Sequence, residues 1–170
     1  MRSLQCPRCL KTATRLVRRH GLWGRLAAAL FYCAFRCQLC NKRFLAFCPG
    51  RQADAHLTDG REYERFPVGF PTAFSNELGW GRGTVVDLSL KGCSVKSRAH
   101  LQPGGLLLLE FHVSQYSPPV EIKRGFVQWT MGNKFGVEFR DVQREQAMRL
   151  RELIEDCWSL HRAGASSRSV

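Results

Sequence analysis

Two short cysteine pairs constrain this chain more than any other feature. Cys6-Pro7-Arg8-Cys9 and Cys37-Gln38-Leu39-Cys40 repeat the spacing C-x2-C, with 27 residues between them. A C-x2-C segment that turns tightly brings two thiols to one point. Two such knuckles on facing hairpins close a tetrahedral four-thiolate site that suits Zn2+. Protein ligands then fill every position, so the metal is structural, with no open place for a reacting molecule. Two other readings stand beside this one. Each cysteine could be a small buried apolar residue, or the pairs could be redox C-x-x-C motifs, although no thioredoxin-like βαβ pattern follows them. Met1-Arg2-Ser3-Leu4-Gln5 runs straight into Cys6 without a signal-peptide pattern. The expectation is therefore a reducing, cytoplasmic compartment, where thiols bind metal or stay free. The longest apolar run, Leu26–Phe35, is ten residues, against the roughly 20 that a transmembrane helix requires.

The second knuckle continues as Arg36-Cys37-Gln38-Leu39-Cys40-Asn41-Lys42-Arg43-Phe44. This resembles the bacterial zinc ribbons, in which a basic residue and an aromatic follow R-C-x-x-C, and the likeness covers residues 4–47. The gap between the knuckles is longer than in a minimal ribbon, and its centre, Leu22–Phe31, could form a short amphipathic helix. A unit this small has little core, so the metal would supply most of its folding energy. Cys33, Cys48, Cys93 and Cys157 lack partners at ligand spacing and read as packing residues, with Cys33 and Cys48 near enough to the second knuckle to act as substitute ligands. His20 and His56 read as exposed loop residues.

Charge divides the chain at the same place. Residues 1–51 hold 11 Lys and Arg and no Asp or Glu, while the remainder holds 15 against 14 acids. Four thiolates around zinc carry −2, which leaves the first part strongly basic. A basic unit suggests phosphates as partners, and a solvated basic face is the plainer alternative.

Residues 49–60, opening on Pro49-Gly50, show no sustained period and read as a linker between a ribbon over 1–48 and a second domain over 61–162. That domain is mainly β. Thr84–Leu88, Cys93–Ser97, Leu106–Val113, Val120–Trp129 and Phe135–Phe139 are short apolar runs separated by turn residues such as Lys91-Gly92 and Gly132-Asn133. Their spacing suits a barrel or sandwich. After Asp141, a candidate helix cap, Ala147, Leu150, Ile154, Cys157 and Trp158 recur at helical spacing. Glu145 and Arg149 would pair on that helix's outer face. Residues 163–170 read as a disordered tail.

Two motifs lie in the β-rich part: Arg61-Glu62-Tyr63-Glu64-Arg65, R-x-x-x-R, and Asp87-Leu88-Ser89-Leu90-Lys91-Gly92, D-x-S-x-x-G. Their order, spacing and β context resemble the PilZ domain over roughly residues 60–160. Gly125–Trp129 and Phe135–Phe139 look like that family's last hairpin. The resemblance implies a six-stranded antiparallel β-barrel with a C-terminal α-helix, binding cyclic di-GMP. The residue types fit that ligand. Guanidinium groups of Arg61 and Arg65 can pair with phosphate oxygens or with guanine O6 and N7. Asp87 can accept the guanine N1 and N2 protons, Ser89 can donate to a phosphate or base edge, and Gly92 permits a tight turn. The plainer alternatives are Arg61 and Arg65 paired with Glu62 and Glu64, and a hairpin turn capped by Asp and Ser. Trp129 could stack on a guanine face, but it reads better as a barrel-core residue.

Two features depart from the family pattern. Gly60 stands where many members carry another Arg, which leans toward one bound ligand. Phe66–Gly83, rich in Pro and Gly, reads as looser than a plain first strand. The functional reading is a cyclic di-GMP receptor in bacterial second-messenger signalling, acting through a conformational change on a protein partner. The alternative is a nucleic-acid-binding ribbon protein with the barrel as scaffold. No open metal site, phosphate loop or nucleophile set argues for an enzyme.

Overall fold

A computed structural model describes residues 4–17, 31–48, 62–77 and 79–166. The candidate helix Leu22–Phe31 apart from Phe31, the linker over 49–60, Arg61, His20 and His56 lie outside the described residues. The chain divides into two compact units, Met1–Glu64 and Arg65–Val170.

In the first unit, β1 (Thr14–Leu16), β2 (Tyr32–Cys37) and β3 (Arg43–Phe47) form an antiparallel sheet in the order β1-β2-β3. Val17, Phe35 and Leu39 are the larger apolar side chains buried among the described residues, alongside Ala13, Ala34 and the cysteines. At about 1.5–3 kcal/mol each, three such side chains offset little of the entropy lost in ordering the unit. Among the described residues, a cross-link at the cysteines and the ion pairs Arg15–Glu64 and Arg36–Glu62 are further sources of stability.

The second unit is a closed barrel, β4 (Phe66–Asn76), β5 (Gly79–Ser89), β6 (Gly92–Lys96), β7 (Leu106–Phe111), β8 (Val120–Met131) and β9 (Lys134–Phe139). Its order is β4-β5-β6-β9-β8-β7, every pair antiparallel, with β7 closing onto β4. Closure removes the sheet edges. The five apolar runs read from the sequence are all strands here. The segment Phe66–Gly83 is more regular than its composition suggests. It forms β4 and the first half of β5, paired from Phe66↔Leu88 to Asn76↔Gly79, with one irregularity between Pro67 and Phe70. Aromatic residues at alternating inward positions explain this: Phe70 and Phe74 are buried and meet Phe111 and Phe135 edge-on, at centroid distances of 5.7 and 5.3 Å. Burial of these rings outweighs the poor strand preference of the intervening Pro and Gly.

Helix α1 spans Arg144–Ser166, running four residues into the segment expected as a tail. Leu150 and Ile154 are buried, and Trp158 meets Phe66 edge-on at 5.9 Å. Asp141 does not cap it. That residue lies three positions before the helix at φ 50°, and its carboxylate accepts from Arg124 at 2.8 Å. Arg149, the expected partner of Glu145, donates its guanidinium to the carbonyls of Pro118 and Pro119.

Candidate metal centre and ligand-binding face

The two knuckles are built alike. In each, the N–H after the second cysteine bonds back to the first cysteine's carbonyl: Leu10 to Cys6 at 2.9 Å and Asn41 to Cys37 at 3.2 Å. The first cysteine's own N–H reaches the residue beyond, Lys11 or Lys42, at 2.9 Å in both. Leu10 and Asn41 sit at φ 60° and 63°, the left-handed conformation that turns the chain away after the second thiol. Asn adopts it readily and Leu does not.

These turns bring the Sγ atoms of Cys6, Cys9, Cys37 and Cys40 within 4.8 Å of one another. Across the knuckles, Cys6 and Cys40 are 3.5 Å apart and Cys9 and Cys37 are 3.6 Å apart. Tetrahedral Zn–S bonds of about 2.3 Å require S···S separations of about 3.8 Å, so the donor set fits zinc. Amides of Arg8 and Cys40 point at the Cys6 and Cys37 sulfurs, at 3.4 and 3.5 Å, the orientation that offsets thiolate charge at a metal. Burial pushes the Cys37 thiol up to about 12 against the lowering effect of the Cys40 and Leu39 amides. Burial also raises Cys6, but the amides of Cys9 and Arg8 and the neighbouring thiols outweigh it and draw it down to about 7. Among the described residues, Cys33 and Cys48 do not join the cluster; Cys33 is buried.

On the barrel, two β-bulges build a second constellation. Between Val85 and Asp87, strand β5 carries an extra residue relative to β6. Val85 and Leu88 both face the core as a result, and Asp87 is turned out of it. Between Val127 and Trp129, strand β8 does the same relative to β9. Trp129 is thus no core residue: it is 37% exposed. The register then aligns Asp87↔Ser94, Ser94↔Gly136 and Gly136↔Trp129, a row across four strands on the barrel's outer face. The neighbouring row, Leu88↔Cys93↔Val137↔Val127, points inward.

Arg65 reaches the first two members of the outer row. Its Nη1 donates to Asp87 Oδ1 at 2.7 Å and to Ser94 Oγ at 3.0 Å. The alternative pairing of Arg65 with its sequence neighbours is not what forms, since Glu62 pairs with Arg36 and Glu64 with Arg15. At the other end, Trp129 lies across Gly136, where a Cβ would stand 2.1 Å from the indole nitrogen. Ser89 and Gly92 shape the turn between β5 and β6. The Ser89 hydroxyl donates to the Gly92 carbonyl at 3.0 Å and accepts from the Lys91 amide at 3.4 Å. A Cβ on Gly92 would stand 2.3 Å from the Val137 carbonyl oxygen. Ser94 and the outward placement of Trp129 escaped the sequence reading, because neither belongs to a motif and strict alternation points Trp129 inward with Val127.

A profile of the family described as PilZ domain matches residues 59–156. Among solved structures, the PilZ domain of YcgR from Escherichia coli with c-di-GMP is similar at 16% identity and TM-score 0.50, covering 62% of this chain and 97% of that one. YcgR from Escherichia coli in complex with c-di-GMP is similar at 13% identity and TM-score 0.51, covering 91% of this chain and 82% of that one. At these identities the two structures speak for the fold. No curated protein matches the chain significantly. Among the described residues, no helix is long and apolar enough to cross a membrane.

Proposed function

The chain belongs to the PilZ domain family, and on that premise we propose that it is a cytoplasmic receptor for cyclic di-GMP that signals to a protein partner and catalyses no reaction. The observation that carries this reading is the outer row Asp87-Ser94-Gly136-Trp129 with the Arg65 guanidinium at one end. Its charged and aromatic members each have a use for this ligand. Asp87 offers a carboxylate to the guanine N1 and N2 protons, a pattern adenine lacks. Arg65 supplies a phosphate or guanine partner, and Arg61, which completes the R-x-x-x-R motif, supplies a second. The Trp129 indole, held against Gly136 and partly exposed, is a stacking surface for a base. Ser89 and Gly92 act by holding the turn that carries Asp87 rather than by touching the ligand. Two similar structures are recorded with this nucleotide, which supports the choice of ligand.

The four cysteines hold a structural Zn2+ in this reading, with no open position for catalysis. Titration calorimetry of the full chain with cyclic di-GMP and with cyclic di-AMP tests the proposal. Binding of the guanine dinucleotide at micromolar concentration or below, with the adenine analogue much weaker, is expected. No binding of either, or equal binding of both, defeats it.

A further inference from the structure

The three residues enclosed by the R-x-x-x-R motif belong to the four-cysteine unit. Gln38, inside the second knuckle, is 2% exposed, and its side-chain amide holds that segment by the backbone. Its Oε1 accepts the Glu64 N–H at 2.8 Å, and its Nε2 donates to the Glu62 carbonyl at 3.3 Å and the Arg36 carbonyl at 3.2 Å. Arg36, one residue before Cys37, pairs with Glu62 at 2.7 Å and donates to the Tyr63 hydroxyl at 2.9 Å. Its guanidinium also lies 5.1 Å from the Tyr63 ring centre. Asn41, just after Cys40, accepts from both Arg36 and the Tyr63 hydroxyl. Arg15 adds an ion pair to Glu64 at 3.1 Å. A buried amide bonded at both ends is costly to leave unsatisfied, so this segment is a fixed part of the knuckle.

Arg61 immediately precedes Glu62, and Arg65 immediately follows Glu64. We propose that Gln38 and Arg36 are positioning residues for nucleotide binding: the metal knuckle fixes the backbone between the two motif arginines, and zinc occupancy and cyclic di-GMP affinity are thereby linked. This rests on the receptor reading above. Without the metal, only backbone hydrogen bonds hold the turn from Cys37 to Cys40, Gln38 is held less firmly, and residues 62–64 regain part of the freedom of an ordinary chain. The ligand must then order the motif itself, and its apparent affinity falls by the fraction of chains already in the competent arrangement. Linkage of this kind is reciprocal, so bound nucleotide holds the zinc more tightly by the same factor.

The test uses the full zinc-loaded chain and has two arms. In the first, Gln38→Ala is compared with wild type for zinc content and for cyclic di-GMP affinity by calorimetry. An affinity loss of about tenfold at unchanged zinc content is expected, with partial recovery in Gln38→Glu, which keeps the acceptor for the Glu64 amide. The second arm needs no variant: zinc transfer from wild type to a chromogenic chelator is timed with and without saturating cyclic di-GMP, and the nucleotide should slow it. Wild type that binds nucleotide while Gln38→Ala binds equally well, or while zinc transfer keeps its rate, overturns the linkage and leaves the receptor reading standing. Wild type that binds no nucleotide removes both.

Discussion

The Trp129 indole occupies the space that a side chain at Gly136 would need, since a Cβ there would come within 2.1 Å of Nε1 and 2.3 Å of Cε2. Gly136→Ala should therefore lift the ring from the sheet. The expected cost is about 1–3 kcal/mol of stability at most, because the half-exposed indole can move. The larger effect should fall on ligand binding. Tryptophan fluorescence and cyclic di-GMP affinity, measured on Gly136→Ala and Trp129→Ala, check this: both variants should weaken binding while the barrel stays folded.

Arg65 and Asp87 are each about a quarter to a third exposed, at 26% and 30%. Their ion pair therefore adds little to stability, and substitution should leave the denaturation midpoint nearly unchanged. Arg65→Ala should cost about 2–4 kcal/mol of cyclic di-GMP binding, from the loss of a charge-assisted contact and the phosphate left unpaired. Asp87→Asn should instead erode the preference for guanine over adenine dinucleotides. Calorimetry with both ligands separates the two effects.

Leu10 is 71% exposed at φ 60°, so it contributes little burial and adopts a conformation that costs a β-carbon about 1–2 kcal/mol. Leu10→Gly should stabilise the four-cysteine unit by about 1 kcal/mol, less whatever entropy the glycine restores to the unfolded chain. Zinc loss to a chelator should slow in this variant. By contrast, Cys37→Ser should empty the site and unfold the unit, while circular dichroism retains the barrel's β signal.

Cys93 is fully buried in the barrel, and burial pushes its thiol up, with the Asp87 charge adding to the effect. A thiol raised above its ordinary value near 9 contributes stability that is fully present below that pH. The contribution is lost as pH rises further, because the unfolded chain releases its proton first. Wild type should thus lose more stability between pH 8 and pH 10.5 than Cys93→Ala does. Urea denaturation of both proteins at the two pH values (about 8 and about 10.5) gives the comparison.

How much of this was legible in the chain depends on the range of the interactions. Cys6, Cys9, Cys37 and Cys40 converge because each knuckle is a local turn, set by a few residues and repeated, and spacing alone carries that information. The strands of the last hairpin were legible for the same reason: Gly132-Asn133 turns the chain between Met131 and Lys134, with Gly132 at φ 57°. The sequence also placed Arg65 and Asp87 in motifs, without showing that Arg65 passes over its neighbours Glu62 and Glu64 to reach a residue 22 positions away.

What the tertiary structure alone decided is which face the site residues occupy. By simple alternation Asp87 follows Val85 inward, and Trp129 follows Val127 inward. One extra residue in β5 and one in β8 reverse both, because side chains switch faces at every step and a single inserted residue moves the next one to the other side. A bulge exists only relative to a paired strand. Nothing in β5 or β8 taken alone announces it, and the row from Asp87 to Trp129 came into being only when four strands settled into register.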